Sequence, residues 1–539
     1  MTSSSGVDFH HHVESNASWY MPDIMGGGLA VFDYDQDDDL DIFFVDAVPQ
    51  SAGGERAGNR LFRREADGRY TDVTAIAGFS KHLIDDDKEG LSAGPRRAGM
   101  GCAIGDVDND GDQDLYVTNH GPDQLYRNNG DGTFTDVTDA SGVANREWSA
   151  SALFFDFDRD GWLDLYVCNY LQYDPARRCT DDAGAPDYCG PQSFPDVPDR
   201  LFRNLGDGTF ADVSTLSGIT RYAASGLGIA LLDADRDSWP DVFVANDADA
   251  NFLWINQRDG TFAEQAIESG VALNAMGKAE AGMGIGVGDV DRNGALDLLV
   301  THLNDETNTL YVDAASGLFD DRTAAFKLAD PRLQFTGFGV ALTDFELDSD
   351  LDIAIANGAV ERRRSPLARE GAWKDYVEPN QLLVYENRAF VEVDRTASAS
   401  FTSPLEVSRG LVAIDLDDDG DEDLVVTQIG GPARIYRNES ARSGHFLKIR
   451  AIDPRHQRDA IGARVEVWVG DQIFVGVVSA TVGYLSARAP ELHFGLGAAE
   501  QYGKIHVIWP DGICERFAGG VTDRRIRLMR GTGVACERE

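Results

Sequence analysis

The sequence predicts an all-β chain: a seven-bladed β-propeller followed by a small, β-sandwich-like C-terminal domain. Three observations predict it. An acidic loop of fixed spacing recurs seven times, starting at Asp33, Asp106, Asp156, Asp233, Asp289, Asp344 and Asp415. Each copy lies between a small, apolar run such as Gly99 to Ile104 and a β-rich run such as Leu115 to Asn119. After the seventh copy the repeat stops, and strands of a different pattern follow.

The loop is clearest in its second copy, Asp106-Val107-Asp108-Asn109-Asp110-Gly111-Asp112-Gln113-Asp114. Carboxylates stand at positions 1, 3, 5 and 9, with glycine at position 6. Ca²⁺ takes six to eight oxygens, and side chains on alternate residues of a tight turn supply them. Glycine at position 6 permits a left-handed turn. The predicted ligands are Asp33, Asp35, Asp37 and Asp41 in loop 1, and Asp106, Asp108, Asp110 and Asp114 in loop 2. Loops 3 and 4 offer Asp156, Asp158, Asp160, Asp164 and Asp233, Asp235, Asp237, Asp241. Loop 5 offers Asp289, Asp291, Asn293 and Asp297, and loop 6 Asp344, Glu346, Asp348 and Asp352. Loop 7 offers Asp415, Asp417, Asp419 and Asp423. A solvated acidic face would explain the charge but not seven copies of one spacing. Up to seven Ca²⁺ are therefore expected. Ser238 with Pro240, and Glu346 with Ser349, depart from the pattern and make loops 4 and 6 the weaker sites; Asp38 replaces glycine in loop 1.

Successive loops begin 73, 50, 77, 56, 55 and 71 residues apart, so insertions vary while the unit persists. Repeats of roughly 40–50 residues made of short strands are the mark of a propeller. Each blade reads as inner strand, acidic loop, second strand, connection, third strand, turn and outer strand. In blade 2 the Asn129-Gly130-Asp131-Gly132 turn joins the last two strands. Glycine and alanine crowd the inner strands, where seven sheets converge. Blade 7 lacks a fourth strand after Asn438, so residues 9–13 are expected to supply it and close the ring. His10, His11 and His12 lie in that segment; strand alternation keeps three consecutive histidines from one ion.

The propeller is assigned to residues 6–442, the C-terminal domain to 443–533, and a loose tail to 534–539. The net charge of −43 argues against nucleic acid as a partner. No apolar run is long enough for a membrane-spanning helix. No signal peptide is visible at the N-terminus, which predicts a cytoplasmic protein, or a secreted or periplasmic one if a leader has been removed. Cys102 and Cys168 read as buried strand thiols, while Cys179 and Cys189 share one loop and are equally compatible with a bridge or free thiols.

The repeats resemble FG-GAP (VCBS-type) repeats, the calcium-binding blades of integrin α-subunit propellers. Gly462-Ala463-Arg464-Val465, Gly483-Tyr484-Leu485-Ser486, His493-Phe494-Gly495-Leu496-Gly497 and Trp509-Pro510-Asp511-Gly512 resemble the ASPIC/UnbV domain. With Met21-Pro22-Asp23-Ile24-Met25-Gly26 before blade 1, nearly the whole chain is similar to the cartilage acidic protein family. That family includes bacterial members and UnbV-type proteins of enediyne gene clusters. The resemblance implies integrin-like calcium loops and no shared catalytic residues.

With the metal in the 1–2 loops, the second strands end on the opposite face. The long insertions at 47–59, 171–198 and 358–379 hang there, and loops on a rigid scaffold are where recognition sits. A ligand funnel is expected from Asp46, Asn119, Asn169, Asn246, Asp247, Asn304, Asn357, Gln428 and Trp373. The competing explanation is that Asn and Asp cap strand ends. His120, His302 and Tyr170 are the candidate acid–base groups. Two functions follow: a calcium-bound propeller that binds a small molecule or a protein on this face, or a cofactor-independent cyclase or isomerase of natural-product biosynthesis. No nucleophile elbow, zinc-protease helix, Walker loop or dinucleotide fingerprint is present.

Overall fold

The computed structural model describes residues 5–13, 19–47, 58–79, 98–181, 183–330, 335–362, 373–395 and 401–536. Seven blades follow one another along the chain among the described residues: blade 1 contributes four strands to a six-stranded sheet, blades 2 to 6 are four-stranded sheets, and blade 7 has three strands. Blade 2 is typical, with Ala98–Gly105, Asp114–His120, Gln124–Asn128 and Phe134–Asp136 paired antiparallel in that order. The inner strands touch in a closed ring, and Ser408–Ile414 of blade 7 meets Leu29–Phe32 of blade 1.

Closure uses the N-terminal segment, though sparingly. His11 N donates to the Gly431 carbonyl at 2.9 Å and Ala433 N to that of Phe9 at 3.1 Å, flanking a single bridge between His10 and Pro432. Val7 and Phe9 bury themselves among Phe44, Val412 and Ile435, between the first and last blades. Pro432 has no N–H to donate, and the pairing ends there. The three histidines alternate as expected: His11 is buried, while His10 and His12 share the other side with ring centroids 5.9 Å apart.

The C-terminal domain packs two sheets on each other. One holds Phe446–Asp453 beside Leu492–Gly495 and Arg524–Met529; the other runs Gln472–Val477, Arg464–Val469, Gln501–Ile508, Cys514–Val521. Cys514–Val521 is a strand in spite of its Gly519-Gly520 pair, which lowers its β-propensity. One expectation is corrected here. The tail is not loose through Cys536: Val534–Ala535 pairs with this strand, and Cys536 is bonded to Cys514. Residues 537–539 of that tail lie outside the described residues. Cys179 and Cys189 also form a disulfide, while Cys102 and Cys168 are buried free thiols.

The two domains share one apolar core. The C-terminal domain covers the acidic-loop face, and its hairpin Thr481–Val482 with Ser486–Arg488 enters the propeller bore. Ala487 and Arg488 pair in parallel with Ala30 and Val31 of blade 1. Blade 2 donates Cys102 N to the Leu485 carbonyl, blade 5 donates Ile285 N to that of Gly483, and Thr481 Oγ1 reaches the Ala152 carbonyl of blade 3. Arg488 donates to the Ala413 carbonyl of blade 7, and the Tyr484 ring stands edge-on to Phe338 of blade 6 at 4.9 Å. This gives the small inner-strand residues their purpose. A Cβ at Gly28 or Gly101 would strike the Leu485 carbonyl oxygen. The glycines make room for a foreign hairpin, not only for their neighbours.

Beyond the hairpin the bore is capped by one helical turn, Pro22–Met25. Tyr484 donates to the Met25 carbonyl at 2.8 Å, and Arg409, fully buried, donates through Nε to that of Ile24 at 2.6 Å.

Candidate calcium loops and the opposite face

All seven loops share one backbone. Position 6 is left-handed whether it holds glycine, as at Gly111 (φ 102°), or Asp38, Ser238 and Ser349 (φ 67°, 72° and 84°). Position 4 is left-handed too, at Gln36, Asn109, Arg159, Arg236, Arg292, Leu347 and Asp418. Loops 4 and 6 therefore keep the turn despite their serines. The position-1 carboxylate organises it, as where Asp106 accepts from Asp110 N at 3.1 Å and Gly111 N at 2.9 Å.

The position-9 aspartate is a structural staple. In every loop its Oδ2 accepts from the backbone N of position 2, at 2.8–3.3 Å. Its Oδ1 accepts from the end of the third strand, at 2.7–3.0 Å. Burial pushes these carboxyls up, Asp41 and Asp297 to about 8 and Asp423 to about 7.

The residues fit a hard cation. In loops 1 to 4, three carboxylates each offer an oxygen within 4.8 Å of the others. Asp35, Asp108 and Asp417 at position 3, and Asp156 and Asp233 at position 1, each keep a buried Oδ1 with no hydrogen-bond partner among the described residues. Such orphaned anionic oxygens are costly without a cation. The C-terminal domain supplies fixed positive charge from above. Arg458 holds down the carboxyls of Asp106 and Asp156, and Arg464 those of Asp233 and Asp289, although burial still leaves all four raised. Lys448 Nζ sits 2.9 Å from Asp415 Oδ2, so loop 7 already has a counter-charge of its own.

On the opposite face the expected open funnel is corrected. Tyr170 is fully buried and donates to Asp247. His302 is buried, its Nδ1 donating to the Thr307 carbonyl at 2.8 Å. His120 is half-buried, its Nδ1 2.6 Å from Tyr20 Oη and its ring packed on Trp148 and Tyr173. The asparagines turn inward: Asn119, Asn169, Asn246 and Asn357 donate from Nδ2 to the carbonyls of Pro122, Pro198, Ala250 and Pro379. Asp46 is engaged by His12 and Gln428 by Glu406. Asn304 and Trp373 remain half-exposed, Trp373 edge-on to Tyr376. The physical reason is a latch that the sequence reading overlooked. The backbone N at each of these strand ends donates to the Asp or Asn just before the third strand: Asn59, Asp123, Asp199, Asn251, Asn308 or Asn380, at 2.7–3.1 Å. An acidic or amide residue opening the third strand was the available signal.

What covers the bore is an aromatic and methionine cluster in which Met21, Ile24 and Met25 meet Tyr188, Phe194 and Tyr376 from the insertions. Residues 48–57 and 363–372 of the insertions lie outside the described residues.

The ASPIC and UnbV family matches residues 453–535, and the FG-GAP-like repeat matches 106–167 and 233–300. The chain is an FG-GAP-repeat propeller with an ASPIC/UnbV domain. Cartilage acidic protein 1 of mouse is 25% identical over 91% of this chain and 71% of its own length; the human protein is 23% identical over 94% and 72%. The resemblance read from the sequence is thus borne out, and these relatives are vertebrate. Among solved structures, Saccharomyces cerevisiae Sqt1 overlaps 81% of the chain and all of its own at 8% identity and a TM-score of 0.39, and the Dos1 propeller overlaps 82% and 98% at 10% and 0.36. The cytoplasmic expectation is overturned, since proteins named for cartilage, an extracellular tissue, point to secretion. The two disulfides agree, because such bonds persist in oxidising compartments. Among the described residues no helix is long and apolar enough to cross a membrane.

Proposed function

We propose that this FG-GAP propeller is a secreted, calcium-stabilised binding protein whose recognition surface is the face opposite its acidic loops. The observation that supports this is the placement of the ASPIC/UnbV domain. It covers the loop face and enters the bore, which leaves the face of the 171–198 and 358–379 insertions as the one for a partner. That face presents Trp19 beneath the Arg362 guanidinium at 5.0 Å, with Tyr173 and Trp373 half-exposed. Aromatic and arginine side chains of this kind dominate binding energy at interfaces. Against the cyclase alternative stand two of its three candidate groups, Tyr170 and His302, which are buried and bonded within the protein; His120 is half-exposed.

Calcium would be held by positions 1, 3 and 5 with help from position 9, in loops 1 to 6 before loop 7. A bound dication supplies positive charge to the orphaned carboxylate oxygens. The chain's own part is to hold those oxygens together through the left-handed turn and the position-9 staple. A melting curve with and without chelator tests the calcium half, alongside elemental analysis. A fall in midpoint with chelator is expected, since a ligand bound only by the native state stabilises it. No metal and no fall refute it. The face is tested by capture from cartilage matrix extract: Trp19→Ser with Trp373→Ser should abolish a bound protein that Arg527→Ser, on the loop side, leaves in place. The reverse pattern refutes the face.

A further inference from the structure

The closing segment sorts its residues between two sides. Burial alternates along it, with Val7, Phe9 and His11 inside and Asp8, His10 and His12 outside. Residues two apart on an extended chain point the same way. His10 and His12 accordingly lie side by side, their ring centroids 5.9 Å apart and their planes at 52°. Two imidazoles that hold one ion through nitrogens at about 2.0–2.1 Å have centroids no more than roughly 6.4 Å apart. The pair is inside that limit. A tetrahedral angle at the ion needs the exposed His10 ring to close by under about 1 Å.

Both rings are held at Nδ1. That of His10 lies 3.2 Å from the His11 carbonyl, which can only accept, so this nitrogen carries a proton. That of His12 lies 2.8 Å from Asp46 Oδ2, while the His12 backbone N donates to Asp46 Oδ1 at 2.7 Å. The Asp46 side chain is fully buried, and its backbone N donates to Asn59 Oδ1 at 2.9 Å, so the carboxylate is a fixed support. Neither Nε2 has a hydrogen-bond partner among the described residues. A carboxylate on Nδ1 is the usual support of a metal-binding histidine: it sets the ring's orientation, presents Nε2 and raises its basicity. Whatever the charge on the ring, Nδ1 keeps its proton, and Nε2 is where a metal ion displaces a proton or a water.

We propose that His10 and His12 form a surface site for a divalent transition ion, Cu²⁺ or Zn²⁺, with both Nε2 atoms as ligands and Asp46 as the positioning residue. Water takes the remaining positions. Imidazole suits these ions, whereas Ca²⁺ takes oxygen, so the site differs from the acidic loops in chemistry as well as in place. It lies at the seam of the ring: Asp46 stands just beyond the second strand of blade 1, and Gly431 and Pro432 of blade 7 pair with the same segment. His11, buried on the inner side, takes no part. The inference does not rest on the proposed recognition face.

The test titrates the full chain with Cu²⁺ and with Zn²⁺ in excess Ca²⁺, followed by calorimetry, and reads the nitrogen ligands of the Cu²⁺ form by electron paramagnetic resonance. One Cu²⁺ per chain carrying two imidazole nitrogens is expected, bound more tightly than Zn²⁺. Asp46→Asn should keep both nitrogens and lose about 10–100-fold in affinity, the usual effect of removing such a support. His10→Ala and His12→Ala, which remove a ligand outright, should each lose at least as much and leave a single imidazole. Copper bound without two imidazole nitrogens, no saturable copper binding, or affinity unchanged in His10→Ala overturns the site. Affinity unchanged in Asp46→Asn overturns the part given to Asp46. Because His10 is exposed, its variant decides the matter even if Asp46→Asn does not fold.

Discussion

Tyr484 is the residue whose loss should reveal whether propeller and ASPIC/UnbV domain are one folding unit. It is fully buried in the bore, donates to the Met25 carbonyl at 2.8 Å, and packs edge-on against Phe338. Tyr484→Phe keeps the ring but strands the Met25 carbonyl in an apolar setting, which costs about 1–2 kcal/mol. Tyr484→Ala also removes the ring, and truncating a buried aromatic costs about 3–5 kcal/mol, so the total is about 4–7 kcal/mol. With roughly 2.1 cal/mol/K of unfolding entropy per residue, a chain that melts as one unit converts this into a fall of roughly 4–6 °C. The assay is calorimetry together with chemical denaturation followed by tryptophan fluorescence. A single transition, shifted as a whole, is expected from both variants in the order Phe then Ala. If Tyr484→Ala splits the transition and the larger part keeps the original midpoint, the hairpin is an ornament on an independent propeller. The reasoning is then refuted.

Three further outcomes follow from the geometry. Ser238→Gly and Ser349→Gly should each stabilise by about 0.5–1 kcal/mol, the relief of a left-handed turn less the unfolded-state freedom of glycine; equilibrium denaturation that finds neither stabilising refutes the strain argument. His11 is buried with no hydrogen bond to its ring among the described residues, and burial with its charged neighbours holds its pKa down to about 3. The folded state therefore stays neutral where the unfolded chain takes a proton below 6.5, and stability is lost as pH falls through that value towards 3. At pH 5.5 the loss is about 1.4 kcal/mol relative to neutral pH, and His11→Leu should remove it; equal pH slopes in both proteins contradict this. Cys514→Ser should release the Val534–Ala535 strand, seen as faster amide exchange across Cys514–Val521, whereas unchanged exchange means the strand holds without its bridge.

Much of the propeller was legible because its signal is local. Nine residues spell the loop, the flanking runs spell two strands, and seven repetitions remove the ambiguity of any single copy. The acidic positions also read true as clusters, since alternate residues of a tight turn converge whatever surrounds them. What escaped was long-range. Nothing near Ser486 to Arg488 announces that it will pair with Ala30 and Val31, near the other end of the chain. Nor do two- and three-residue strands carry a periodicity to find. The funnel was misread for a related reason: polar residues at strand ends look alike whether they face a ligand or a latch. The partner that decides it, such as Asp199 for Asn169, is set by where the connection returns.

The hairpin in the bore also acts as a gauge. Propellers grow and shrink by gain and loss of whole blades, and the width of the axial hole follows the number. Here that hole is measured by an object of fixed breadth that hydrogen-bonds directly to blades 1, 2, 3, 5 and 7. An eighth blade would pull some of those partners out of reach, and a sixth-blade ring would not admit Leu485 past Gly28 and Gly101. Individual blades are free to diverge and to carry insertions, but their number is pinned by a segment that belongs to none of them. Ring size in this protein is thereby tied to the C-terminal domain as well as to the repeats.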